Sequence, residues 1–148
     1  MHRPNASWRK SMCAFFDLPK PPSHDKCGEK RSGAPFLGKP KRIDTIQGDG
    51  NCLFRAISKE ITCSEEHHLA LRKSLIAFIL SNKKSFSELV GESIEEYIKR
   101  ERMACDGTWG TDTELLGFAT LLQTSVGVYY KAKWHIYPPL KSLNDTAY

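Results

Sequence analysis

The sequence predicts an α+β fold with helices first and a small sheet last. Apolar residues recur at helical spacing from residue 52 to about 122, and β-branched and aromatic residues take over from 125 to 137. A first helix is expected over residues 52–61, where Leu53, Phe54, Ile57 and Ile61 share one face. A second is expected from Ser64 as N-cap to about residue 82, with Leu69, Leu75, Ile76, Ile79 and Leu80 as its inward stripe. His67 and His68 stand in its first turn beside Glu65 and Glu66 and are assigned to the solvated face. Two further helices open on a hydroxyl residue followed three positions later by Glu. These are Ser93 with Glu96, ahead of Ile94, Tyr97 and Ile98, and Thr111 with Glu114, ahead of Leu115, Leu116, Ala119 and Leu122. Residues 125–130 and 134–137 then read as paired strands around a turn at Lys131, Ala132 and Lys133.

A chain of 148 residues accommodates one modest domain. Residues 1–41 carry nine Lys/Arg against three Asp/Glu, a net of +6, and residues 42–148 carry thirteen against fourteen, a net of −1. The sequence pI near 9.0 is thus a property of the N-terminal segment. A near-neutral domain offers no broad basic face, which argues against nucleic acid as the partner. The apolar runs are too short to span a membrane, and no signal-peptide core opens the chain. The five cysteines lack the density of a disulfide scaffold, so free thiols and an intracellular, cytoplasmic setting are expected. Residues 1–41, rich in Pro, Lys, Ser and Gly, are expected to form a basic, mobile tail, in which Trp8, Phe15, Phe16 and Leu18 could dock as a short helix. Residues 42–148 form the expected domain. Cys13, His24 and Cys27 are irregularly spaced and lack a fourth ligand, so no metal or other cofactor is expected; Cys63 and Cys105 read as structural.

The chemistry concentrates in Gly48-Asp49-Gly50-Asn51-Cys52. Only a thiolate is a strong sulfur nucleophile, and a helix N-terminus favours negative charge. The same unpaired first-turn amides can hold the oxyanion formed when a carbonyl is attacked. Gly48 and Gly50 leave the backbone free for a tight turn in front of the sulfur. From the residues alone, three readings stand open: a nucleophilic thiol, a structural turn with an inert cysteine, and a phosphate-cradling loop. The last is weakened by the absence of the P-loop Lys and Ser/Thr and by the anion Asp49.

The run from Asp49 to Ala56, Asp-Gly-Asn-Cys-Leu-Phe-Arg-Ala, resembles the nucleophile motif of the ovarian-tumour (OTU) family of deubiquitinating cysteine proteases. A second block agrees with it: Asp106-Gly107-Thr108-Trp109-Gly110-Thr111-Asp112-Thr113-Glu114-Leu115, followed by Leu121-Leu122-Gln123-Thr124 and Val126-Gly127-Val128-Tyr129. The resemblance covers roughly residues 42–138. It implies a papain-like α+β fold, incomplete at its C-terminal end, and ubiquitin or ubiquitinated proteins as partners. It also implies hydrolysis of isopeptide bonds at the ubiquitin C-terminus through a Cys52 thioester. By carry-over, Cys52 and Asp49 are the catalytic residues, and the backbone of Asp49, Gly50, Asn51 and Cys52 forms the oxyanion loop. Trp109 and Gly110 are assigned to scaffolding, and Glu114 to capping its helix rather than to acid catalysis. The family places its general-base histidine on a late strand, beyond the region resembling residues 134–138. His135 stands on the preceding strand and is assigned to an edge rather than to catalysis. Three readings follow: a protease lacking its histidine here, a ubiquitin-binding pseudoenzyme, and a scaffold for a functional basic N-terminal segment.

Overall fold

The computed structural model describes residues 5–21, 38–40 and 43–141. Its elements are α1 (Ala6–Phe15), α2 (Cys52–Thr62), α3 (His68–Ser81), α4 (Lys83–Val90), α5 (Ile94–Arg100), α6 (Asp112–Leu122), β1 (Val126–Tyr130) and β2 (Lys133–Tyr137). The α+β order and the small terminal sheet agree with the sequence.

The core lies where α2, α3 and α6 meet. Phe54 of α2 and Phe118 of α6 are fully buried, with their rings in an edge-to-face contact 5.7 Å apart. Leu75 and Ile79 of α3 pack over Gly117, where a Cβ would come within 3.0 Å of Leu75 Cδ1. A bare backbone at that position lets α3 and α6 approach closely. The α6 start follows the expected capping box: Thr111 Oγ1 accepts from the Thr113 amide, and Glu114 Oε2 accepts from the Thr111 amide at 2.7 Å.

The α2 and α5 starts, at Cys52 and just after Ser93, fall where expected, and the α3 start does not. Ser64 is taken up by a local turn, its hydroxyl accepting from the Glu66 amide and its carbonyl accepting from Thr62, so α3 begins only at His68. The inward face of α3 is therefore Leu71, Arg72, Leu75, Ile76 and Ile79, while Leu69 points outward. His68 is buried, contrary to its assignment to the solvated face. The Ser93–Glu96 box does not form: Ser93 makes no side-chain cap bond, and the Ile94 amide donates to Ser87 Oγ of α4 at 3.0 Å; α4 itself was not anticipated.

The strands pair antiparallel, with Val126 opposite Tyr137 and Val128 opposite His135. Lys131 and Ala132 both adopt positive φ, +49° and +63°, as a two-residue hairpin turn with the sheet's own twist requires. Tyr129 and Trp134 face each other across the strands with ring centroids 5.2 Å apart. Tyr137 Oη donates to Asp112 Oδ1 at 2.8 Å and ties the hairpin to the start of α6.

The mobile-tail expectation is corrected for the described part of the N-terminal segment. Asn5 caps α1 by accepting from the Trp8 amide at 2.8 Å, and the helix lies across the C-terminal end of α2. Arg9 Nε donates to the Glu60 carbonyl at 2.9 Å, and Cys13 Sγ lies 3.6 Å from the Ile61 carbonyl. A basic side chain there satisfies carbonyls that the α2 ladder leaves open and complements the negative end of the helix dipole. Trp8, Met12, Phe16 and Leu18 pack on the core around the buried Cys13. Residues 22–37, with His24 and Cys27, lie outside the described residues. Cys63 is disulfide-bonded, so the expectation of free thiols fails for it.

Removing residues 1–17 should lower the unfolding free energy by at least about 2 kcal/mol, because it uncovers several apolar side chains and the α2 carbonyls. Urea denaturation reads this directly, and an unchanged midpoint would show α1 to be dispensable to the domain.

Candidate active site

Cys52 opens α2 and is partly exposed, its thiol free. The approach to it is a turn: Gly50 has φ +81°, and a Cβ there would overlap the Gly107 carbonyl. Only glycine satisfies both the conformation and the close passage of the 105–108 segment. Gly110 is similarly confined, since a Cβ would overlap Leu53 Cδ2, while the neighbouring Trp109 is 69% exposed.

Asn51 occupies the N-cap position of α2 but does not cap it. Asparagine is among the best N-cap residues, so its side chain must be held elsewhere. It is 3% exposed, and its Oδ1 accepts from the Gly107 amide and from Arg72 Nη2, both at 2.9 Å. Its Nδ2 donates to Asp106 Oδ1 at 2.8 Å and to Asp49 Oδ2 at 3.3 Å. The first-turn amides of α2, which have no partner within the helix, are thereby left without a side-chain cap. They are suited to receiving developing negative charge on a carbonyl oxygen beside the Cys52 sulfur.

Asp49 braces the same turn from the other side. Its carboxylate accepts from Arg55 Nη2 at 2.6 Å, from Arg55 Nε at 3.0 and 3.1 Å, and from the Asn51 amide at 3.1 Å. The Arg55 guanidinium, with the Asn51 donors, holds the Asp49 carboxyl well below the usual carboxylate range. An acid so strongly ionised and so fully engaged orders the loop and does not exchange protons at neutral pH.

The structure brings Asp49, Gly50, Asn51 and Cys52 together in one turn, as the sequence indicates. His135 lies on β2, exposed, with its ring against Tyr130 at 6.4 Å, and it forms no hydrogen bond with the Cys52 loop. Glu114 is fully buried and bonded to Thr111 and Tyr97, with burial pushing its carboxyl above the ordinary value. Its capping role is as expected. Sequence reasoning missed Arg72 and His68. Arg72 is 1% exposed, its Nη1 donates to the Met103 carbonyl at 2.9 Å, its Nη2 donates to the Thr108 carbonyl at 2.7 Å, and its Cζ sits 3.9 Å from the Phe54 ring centroid. His68 precedes it by one turn on the same face of α3, a face whose charge conceals its burial. Burial pushes the His68 imidazole below its usual value, and Arg55 adds to the effect. Among the described residues, no group of three or more His, Cys, Asp or Glu side chains is placed to hold a metal, and no helix is long and apolar enough to cross a membrane.

A partly exposed cysteine on a glycine turn at a helix N-terminus without a side-chain cap, with a small sheet after the helices, is the arrangement a thiol hydrolase would need. The family model described as OTU-like cysteine protease matches residues 47–143, and the chain belongs to that family. It is 26% identical to the OVARIAN TUMOR DOMAIN-containing deubiquitinating enzyme 7 of Arabidopsis thaliana over 80% of the chain and 33% of that protein. It is 34% identical to the UDP-N-acetylglucosamine transferase subunit ALG13 of Homo sapiens over 59% of the chain and 9% of that protein. The chain thus spans a third or less of these relatives. The solved structure of the OTUD1 OTU domain superposes with a TM-score of 0.56 at 28% identity, covering 68% of the chain and 71% of that domain.

Two outcomes follow from this geometry. Gly50→Ala should destabilise the fold by roughly 2 kcal/mol or more, because it combines a positive φ with a backbone clash; thermal unfolding within error of the parent chain would refute the close approach. The second concerns pH. With its folded value below the unfolded one near 6.5, His68 takes up a proton first in the unfolded chain, so its contribution is complete above that pH and is lost as the pH falls through the folded value. Unfolding free energies at pH 7.5 and 5 should therefore differ more in the parent chain than in His68→Gln, and equal differences would contradict the assignment.

Proposed function

We propose that this chain carries the nucleophile of a thiol-dependent deubiquitinase that hydrolyses isopeptide bonds at the C-terminus of ubiquitin. The observation that carries the reading is the diversion of Asn51, which leaves the amides beside Cys52 open for an oxyanion. Membership of the OTU-like cysteine protease family and the deubiquitinating Arabidopsis relative support the substrate class.

In this mechanism the Cys52 thiolate attacks the isopeptide carbonyl carbon. A carbon–sulfur bond forms, and the carbonyl electron pair moves onto oxygen, where the first-turn amides of α2 receive it. Collapse breaks the carbon–nitrogen bond, and the departing lysine amine takes the proton that a base removed from the thiol. Water then adds to the thioester, the carbon–sulfur bond breaks, and the ubiquitin carboxylate leaves. Asp49 serves this scheme by fixing the turn, and the backbone of Asp49, Gly50, Asn51 and Cys52 supplies the oxyanion loop.

A second reading rests on the base. Among the described residues no histidine is hydrogen-bonded to Cys52, and His135 faces Tyr130. A domain without a base would still bind ubiquitin while losing on the order of 10⁴-fold or more in turnover.

Ubiquitin bearing a C-terminal electrophile should label Cys52 at neutral pH, and Cys52→Ala should remove the adduct. Hydrolysis of a ubiquitin C-terminal amide reporter then separates the readings. Labelling with turnover supports the protease, whereas ubiquitin binding by calorimetry with neither adduct nor turnover supports the binding module.

A further inference from the structure

We propose that Arg72 is a positioning residue for Cys52 that acts through Asn51, keeping a competent cap residue from closing the helix N-terminus on which the nucleophile sits. The proposal rests on the thiol-nucleophile reading above, but its physical content concerns only the state of the α2 N-terminus.

Arg72 belongs to α3, and the residues it engages bracket the cysteine. Its Nη2 holds Asn51, the residue before Cys52, and its guanidinium lies against the ring of Phe54, two residues after it. The same group anchors the Met103 and Thr108 carbonyls, and so fixes the segment whose Gly107 amide also donates to Asn51 Oδ1. One planar fork thus sets both the first turn of α2 and the loop packed on Gly50. A lysine ammonium in its place is a single point charge and cannot span these acceptors together.

The role differs from mere structural support because of what Asn51 would do if released. An asparagine at an N-cap position ordinarily accepts from the second or third amide of its helix, here Leu53 or Phe54. Losing the Arg72 contact removes one of the two donors that hold Asn51 Oδ1 away from them. The freed oxygen would then occupy the amides that an oxyanion needs and would replace the open positive end of α2 with a satisfied one beside the sulfur. Arg72 thereby trades local helix stability for reactivity at Cys52.

The test compares the parent chain with Arg72→Lys, Asn51→Ala and the double variant, all verified as folded by circular dichroism. Three quantities are read: the rate of Cys52 labelling by electrophilic ubiquitin, the rate of Cys52 alkylation by iodoacetamide mapped by peptide mass, and amide exchange at Leu53 and Phe54. Arg72→Lys should slow ubiquitin labelling about tenfold and slow Leu53 or Phe54 exchange as Asn51 closes on the helix, a change that simple loosening would reverse. Asn51→Ala, which has no cap oxygen to release, should not slow exchange, and adding it to Arg72→Lys should return exchange at Leu53 and Phe54 to at least the parent rate and leave labelling faster than in Arg72→Lys alone, since both changes act on one contact. Slowed exchange that persists in the double variant, or faster exchange at both amides in Arg72→Lys, would overturn the proposal. If Arg72→Lys does not fold, Arg72→Gln takes its place, and unchanged Cys52 rates with unchanged exchange at Leu53 and Phe54 in that variant would also overturn it. If the ubiquitin probe fails on the parent chain, the deubiquitinase reading falls, while the iodoacetamide and exchange measurements still judge Arg72.

Discussion

The buried guanidinium of Arg72 organises the turn that precedes Cys52. The Arg72 guanidinium is taken wholly out of water, and burial pulls its affinity for the proton down while the Asp106 carboxylate opposes that pull. Desolvating a charge costs several kcal/mol unless it is hydrogen-bonded in good geometry. Two backbone carbonyls, one amide oxygen and an aromatic face, from two stretches of chain, meet its terminal nitrogens and its plane, while Nε is left without a partner among the described residues. The hydrogen-bonded groups are all irregular where they are bound: Asn51 lies in a turn, and Met103 and Thr108 in the connection between α5 and α6. The cation therefore does for the loops what apolar packing does for the helices.

This arrangement explains why the site is rigid where it needs to be. Asp49 and Arg55 brace the turn on its outer side, Arg72 and Asp106 on its inner side, and Asn51 belongs to both sets. Cys52, the proposed nucleophile, takes part in none of these bonds. Its neighbours are fixed while its sulfur and the amides behind it remain available, as preorganised stabilisation of a developing charge requires.

What the sequence made legible was whatever follows from period and local chemistry. Phe54, Ile57 and Ile61 lie on the buried face of α2 because helical spacing leaves no other choice. Thr111 and Glu114 cap α6 because a reciprocal pair needs only its own turn. The hairpin announced itself through its aromatic and β-branched residues, even though its turn lacks glycine. Elements decided by distant partners were not legible. Ser93 carries a capping signature, but its side chain forms no cap bond, and the first amide of α5 is met instead by Ser87 from another helix. The α1 segment is too basic to read as part of a core until the α2 carbonyls that Arg9 meets are in place. Arg72 and His68 continue the Leu75 and Ile79 stripe at helical spacing but read as surface, because their polarity conceals that α3 turns that face inward.

The candidate site divides in the same way. Gly50 and Cys52 were identifiable from the motif, since a tight turn before a helix is a local demand. The function of Asn51 was not, because the sequence offers it an ordinary local role as an N-cap, worth about 1 kcal/mol where it forms. The structure sets against that local bond four others, to Arg72, Gly107, Asp106 and Asp49. The tertiary network outweighs the cap. A helix start that sequence propensity would have sealed is consequently held open at α2, which begins on a partly exposed cysteine.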